Sequence, residues 1–180
     1  TEHSRKRRRR TAWISGISLF LLIAVGGGVV VLQILIARAG PILKGRVVET
    51  LARWQGAFPP GYRDQYDAAE ALADLAVVDG LRADEQVRVR AFRLADDDKL
   101  TFRFKLYRPG AAAPLADVLP ILEHMGLKAL IEDGFKLTPA GDAHAKVWVH
   151  EFTLRDERGE HLSFDDIKAA FEAAFVAIWT

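Results

Sequence analysis

The chain has 180 residues, with 25 Lys plus Arg against 24 Asp plus Glu and a formal charge of +1. Half of it is hydrophobic and 27% is charged, which excludes a disordered tail and fits one compact domain, or a small one with an appendage. The absence of cysteine excludes a disulfide scaffold, a thiolate zinc site and a cysteine nucleophile.

The charge is unevenly placed. Arg5, Lys6 and Arg7 to Arg10 form a basic block at one end, and from Thr11 to Ala37 there is no charged side chain. A helix needs roughly 20 apolar residues to cross a bilayer, and this run is long enough, with Gln33 its one strongly polar interior residue. Gly26-Gly27-Gly28 would weaken a soluble helix but is tolerated in lipid, where neighbouring helices pack closely on glycine. The basic block would hold the amino terminus on the cytoplasmic side, with Trp13 at the interface. A secretory signal peptide has a shorter apolar core, about 7–15 residues, and no small-x-small cleavage pattern stands at the correct distance. A buried soluble helix is the plainer alternative, and a membrane segment is the better reading. The same block next to an apolar run reads as an orientation signal and anionic-lipid contact, so no nucleic-acid partner is expected.

Gly40-Pro41 ends that run, and the pattern predicts an amphipathic helix over Ile42 to Gly56, with Val47, Val48, Leu51 and Trp54 at helical spacing. Phe58-Pro59-Pro60-Gly61 reads as a stop and turn. A second helix is expected over Ala68 to Val78, capped by Asp67 and closed by Gly80. The organisation expected is residues 1–40 as basic block and transmembrane-like helix, 41–82 as helical linker, and 83–180 as an α+β domain.

From Gln86 the period changes to two. Val87, Val89 and Ala91 alternate with Arg88, Arg90 and Phe92. After the turn Asp96-Asp97-Asp98, Leu100, Phe102, Phe104 and Leu106 alternate with Thr101, Arg103, Lys105 and Tyr107, predicting an antiparallel hairpin with one wet face. Arg108-Pro109-Gly110 closes it. Leu115 to Met125 is helical in pattern, with Asp117 as cap, Pro120 in the first turn and Gly126 as C-cap glycine. Lys128 to Leu137 and Ala145 to Leu154 read as two more strands around the loop Pro139 to Asp142. Ser163 caps a last helix whose apolar stripe is Phe164, Ile167, Phe171, Ala174, Phe175 and Ile178. The order β-β-α-β-β-α predicts one sheet face under two helices, as in ferredoxin-like and ACT-type domains.

Few residues carry chemistry. No Gly-x-Gly-x-x-Gly follows a strand, and no Gly-Lys-Ser/Thr loop or Gly-x-Ser-x-Gly elbow occurs. Ser15 and Ser18 fall in the apolar run. The histidines His3, His124, His144, His150 and His161 make no His-x-x-x-His pair, so no metal site is expected. His150-Glu151 has the composition of an acid–base pair, but neighbours in a strand face opposite ways, which makes His150 a sheet histidine with a hydrogen-bond partner. The three aspartates 96–98 read as a solvated turn rather than a cation site. No catalytic, cofactor-binding or metal-ligating residue is assigned.

Three stretches, Phe58-Pro59-Pro60-Gly61-Tyr62-Arg63-Asp64, Lys105 to Gly110 and Pro114 to Leu127, resemble the large bacterial NAD-specific glutamate dehydrogenases. Val147-Trp148-Val149-His150-Glu151-Phe152 and Phe171 to Trp179 resemble the same family in the same order, so the likeness covers about Leu51 to Thr180. Thr1 to about Ala39 does not resemble it. The resemblance implies a fragment holding the last ACT-like domain and its helical lead-in, upstream of a Rossmann-type catalytic domain. It implies NAD as cofactor of the full-length enzyme but none in this chain, and a cytoplasmic location. The partners implied are the enzyme's own catalytic and helical domains, a second copy in a homo-oligomer, and a small effector such as an amino acid. The apolar run 11–37 supports another reading, a single-pass membrane-anchored protein presenting a small α+β interaction domain.

Overall fold

The computed structural model describes residues 41–54, 56–82, 84–142, 145–158 and 163–179. The basic block, the apolar run 11–37, His3, His144 and His161 lie outside the described residues. Among the described residues no helix is long and apolar enough to cross a membrane. The chain divides between Ala76 and Val77 into two units.

The first unit is helical. Helix α1 spans Pro41–Trp54, α2 Pro60–Gln65 and α3 Ala68–Val78, the last running across the division. Leu51 and Trp54 of the expected α1 stripe are buried, but Val48 is exposed. The sequence Phe58-Pro59-Pro60-Gly61, expected to be only a stop and turn, starts a helix instead. A proline at the first helical position has its φ preset and lacks an N–H that would have no partner there. The N–H groups of Tyr62 and Arg63 both donate to the Pro59 carbonyl, at 3.1 and 3.2 Å. Tyr62 is buried between the Phe58 and Tyr66 rings, whose centroids lie 4.8 and 4.6 Å away, and its hydroxyl donates to Asp74 Oδ2 at 2.6 Å. Helix α3 has the bounds expected, and the Asp67 Oδ1 accepts the Glu70 N–H at 2.9 Å as its cap.

The second unit follows the expected β-β-α-β-β-α order. Its elements are β1 Arg88–Phe92, β2 Thr101–Pro109, α4 Leu115–His124, β3 Leu127–Leu137, β4 Val147–Asp156 and α5 Phe164–Trp179. The sheet order is β1-β2-β4-β3, antiparallel throughout. Because β4 runs opposite to both β2 and β3, those two are parallel, and β2-α4-β3 is a split β-α-β unit with β4 inserted. In the ferredoxin-like order β-α-β-β-α-β the last strand returns to the edge beside the first. Here β1 fills that edge place and comes first in sequence, a circular rearrangement of the same sheet.

Both helices cover one face. Phe102, Phe104 and Leu106 of β2 and Phe152 and Leu154 of β4 meet Val118 and Leu122 of α4 and Phe175 of α5 in the main core. The Phe104 ring has the Phe171 and Phe175 rings at 5.2 and 4.7 Å. On α5, Glu172 accepts the Ala91 N–H of edge strand β1 at 2.6 Å, which occupies a backbone donor that an edge leaves open.

Three expectations are corrected, and a bulge in β3 is a further feature. Asp117 does not cap α4: the helix starts earlier, Pro114 holds the cap position without a side-chain bond, and Pro120 lies inside the helix, where it removes the N–H that would reach Ala116. Ile178 of the expected α5 stripe is exposed, while Val176 and Trp179 pack on the core. A bulge between Ala129 and Ile131 inverts the facing of the rest of β3. Finally, the second sheet face is not wet: Lys105 and Tyr107 are fully buried, as are Leu137 and Val149.

Candidate functional site

The buried polar side chains of the second unit form two groups, one on each face of the sheet. On the helix-covered face stands His150, 5% exposed. Its Nε2 accepts the Ala113 N–H at 3.1 Å. That assigns the proton to Nδ1, which donates to Glu132 Oε1 at 2.7 Å. The carboxylate partner is therefore Glu132, eighteen residues upstream, and Glu151 points to the opposite face as alternation requires. The bulge brings Glu132 to the His150 side of β3. Gly134, directly across from His150, leaves room for the ring: a Cβ there would lie 3.3 Å from Glu132 Oε1 and 3.6 Å from His150 Nδ1. With both nitrogens bonded, His150 joins β4, β3 and the segment leading into α4. It is a positioning group.

The opposite face carries an ionic layer. Arg103 donates to Thr153 Oγ1 at 2.7 Å and to Asp97 Oδ1 at 3.0 Å. Glu151 lies between two cations, with Oε1 4.0 Å from Arg103 Nη1 and Oε2 3.5 Å from Lys105 Nζ. Lys105 and Glu151 are direct cross-strand partners, the arrangement in which opposite charges support a sheet. The Lys105 Nζ lies 5.7 Å from the Phe92 ring centroid, and the Arg90 guanidinium 4.3 Å from it. Burial pulls the Arg103 pKa down, yet Asp97 first, then Glu151 and Asp96, together raise it above its ordinary value.

The aspartate turn between β1 and β2 holds itself closed. Asp97 Oδ2 accepts the Leu94 N–H at 2.8 Å, and Asp98 Oδ1 accepts the Leu100 N–H at 2.9 Å. The Asp98 carboxyl is held below its ordinary value, chiefly by the Thr101 hydroxyl, then by the Leu100 N–H and Arg155. Glu85 is likewise lowered, chiefly by Arg88 at 2.9 Å. Among the described residues no three His, Asp or Glu side chains gather where they could hold a metal ion. His124 bonds the Pro120 carbonyl at 2.6 Å along its own helix, and Ser163 precedes α5 with its carbonyl accepting the Asp166 N–H at 3.0 Å.

Neither group places a nucleophile beside a base, and both bind strands and loops to one another. Fold and polar groups together define a small α+β domain of ACT-like order. Comparison with known proteins agrees. Residues 86–167 match the glutamate dehydrogenase ACT3 domain, and residues 45–81 match the glutamate dehydrogenase helical motif 2. The chain is similar to the NAD-specific glutamate dehydrogenase of Halomonas elongata, with 30% identity over 129 residues, covering 72% of this chain and 8% of that protein. The enzyme of the same name from Pseudomonas aeruginosa is 27% identical over 128 residues, 71% of this chain and 8% of its own length. That of Mycobacterium tuberculosis is 29% identical over 102 residues, 56% and 6%. The chain belongs to the NAD-specific glutamate dehydrogenase family, of whose curated members it spans less than a tenth.

Proposed function

We propose that this chain acts as an ACT-like regulatory and packing module of an NAD-specific glutamate dehydrogenase. The reaction, oxidation of glutamate to 2-oxoglutarate and ammonia with NAD, belongs to other parts of that enzyme. The observation that carries this reading is the pair of ordered family matches, helical motif then ACT3 domain, over residues 45–167. The polar groups of the sheet support its packing part, because both fix the fold. In this reading NAD binds elsewhere in the enzyme, the protein is cytoplasmic, and the module contacts the enzyme's catalytic and helical domains, a second copy in a homo-oligomer and a small effector.

A chimera tests it. Residues 45–167 replace the matching segment of the Halomonas enzyme, and assembly and glutamate-dependent NADH production are measured. Retained assembly with an altered response to amino acids supports the reading. Loss of the assembled enzyme in a chimera whose module is folded removes it. NADH production by the 180-residue chain alone would also overturn it.

The charge-free run 11–37 favours a second reading, a membrane-anchored chain presenting the α+β domain to a protein partner. Carbonate extraction of membranes from cells expressing the full chain separates the two: release into the soluble fraction counts against the anchor.

A further inference from the structure

The chain crosses from β2 to α4 on Gly110-Ala111-Ala112-Ala113-Pro114, a stretch with no ionisable side chain of its own. Its first part is held from outside: the Gly110 N–H donates to the Lys146 carbonyl at 2.9 Å, and Arg108 Nη1 donates to the Ala112 carbonyl at 2.7 Å. At the far end the Pro114 carbonyl accepts the N–H groups of Asp117 and Val118, at 3.0 and 3.2 Å, so Pro114 belongs to the first turn of α4. Between the two stands Ala113, 4% exposed and part of the core, whose N–H donates to His150 Nε2 at 3.1 Å. A side chain thus supplies the partner that this buried N–H requires.

That acceptor has a property no carbonyl has. The Nε2 lone pair that receives the Ala113 N–H is also where a neutral imidazole takes its second proton. An imidazolium donates from both nitrogens, so one proton removes the acceptor and sets two N–H groups against each other. The other ring bond survives, since Nδ1 donates to Glu132 Oε1 in either form and the carboxylate becomes the counter-ion. The remaining charged groups of the elements around the ring are engaged or in solvent. Arg108 of β2 is on the Ala112 carbonyl, Lys136 of β3 and Asp117, Glu123 and His124 of α4 are exposed, and Glu172 of α5 accepts the Ala91 N–H. The Trp148 and Phe152 rings, neighbours on the same face of β4, lie at 22° and 20° to the imidazole and hold its plane.

We infer that this bond is an acid-operated latch: protonation of His150 frees Ala113 and the leading end of α4, while the ring stays on Glu132. Imidazole changes charge between about pH 5 and 8, so release does not require acid strong enough to protonate an ordinary carboxylate. The strands keep their own ladders on both sides of β4, and the latch opens one connection without unfolding the domain. It is a property of this fold beyond the regulatory reading, and it stands or falls without it.

NMR of the isotope-labelled full 180-residue protein reads the bond directly, because an N–H···N bond transmits a scalar coupling between the Ala113 amide nitrogen and His150 Nε2. Between about pH 8 and about pH 5 the coupling is expected to vanish as Nε2 becomes protonated. Protection of the Ala113 amide from hydrogen exchange, corrected for the intrinsic effect of pH, falls about tenfold, the worth of one hydrogen bond. Protection in β2 and β4 stays unchanged. Glu132→Gln keeps an oxygen for Nδ1 but removes the counter-ion, so the same loss moves to lower pH. Four results overturn the inference: Nε2 protonated while Ala113 keeps its protection, Nε2 unprotonated until the whole domain unfolds, loss of protection spread equally through the strands, or a Glu132→Gln titration that coincides with the parent's. The first three are read on the parent protein and need no variant to fold.

Discussion

The two faces of the sheet are built from alternate residues of the same strands, and they are stabilised differently. Toward the helices β2 presents Phe102, Phe104 and Leu106, and removal of apolar surface from water is the main term. On the other face the same strand presents Arg103, Lys105 and Tyr107, and Lys105 is as fully buried as Phe104. There stability depends on each charge having its partner, since an ion taken out of water is costly unless matched. The comparison teaches that alternation identifies which residues share a face, while leaving open whether the polar face is wet. Burial changes what a substitution there does.

The largest effects should test that contrast. Phe104→Ala opens a cavity among the Phe152, Phe171 and Phe175 rings and is expected to cost about 3–5 kcal/mol in chemical denaturation. Glu151→Ala, which removes the carboxylate between Lys105 and Arg103, should cost about 3 kcal/mol although it deletes little apolar surface. A cost below about 0.5 kcal/mol would place Glu151 with ordinary surface ion pairs and end the distinction between the faces. The double change Lys105→Met with Glu151→Leu sharpens it further: removing both charges together should bring stability back to within about 1 kcal/mol of the parent. A third test concerns the polar group that interrupts the apolar face. His150→Phe keeps a ring but leaves the Ala113 N–H and Glu132 without their bonds, an expected loss of about 2 kcal/mol. Hydrogen exchange at Ala113 should accelerate in the same variant.

The order of elements was legible in the sequence because hydrophobic period and turn residues agree. Helix α3 shows this most clearly, with Asp67 at its cap and an apolar pattern ending before Gly80. Where two local rules competed, the reading failed. Pro59-Pro60 both breaks a helix and preorganises the first turn of the next, and here it starts α2. Asp117 is a good cap residue, yet the chain was already helical at Leu115, so it lies in the first turn instead. The partner of His150 was not legible at all: a one-residue bulge in β3 decides that Glu132 shares its face, and nothing at Ala129-Leu130-Ile131 marks a bulge. The burial of Lys105 was hidden for another reason, because a strand pattern carries no record of what packs on its polar side. The ordered family motifs in the sequence did survive comparison, covering the helical motif and the ACT3 domain.

The smallest expected effect lies outside both faces, in the turn that joins β1 to β2, and its sign follows from the direction of one titration. The folded protein holds the Asp98 carboxyl below its ordinary value of 3.8, mainly through the Thr101 hydroxyl. A carboxyl lowered on folding contributes stability above its unfolded pKa, and that contribution disappears as pH falls through the folded value. Stability should therefore decline below pH 3.8 more steeply in the parent than in Asp98→Asn, and the two curves should converge at the acid end. Glu85 shows the same sign with an ordinary value of 4.5, so the Glu85→Gln curve should begin to converge on that of the parent at a higher pH. Tryptophan-monitored urea unfolding across this range separates the two windows. Parallel curves for parent and Asp98→Asn would mean that the turn forms its bonds equally well in the unfolded chain, and the aspartate turn would then no longer explain why β1 and β2 pair in this register.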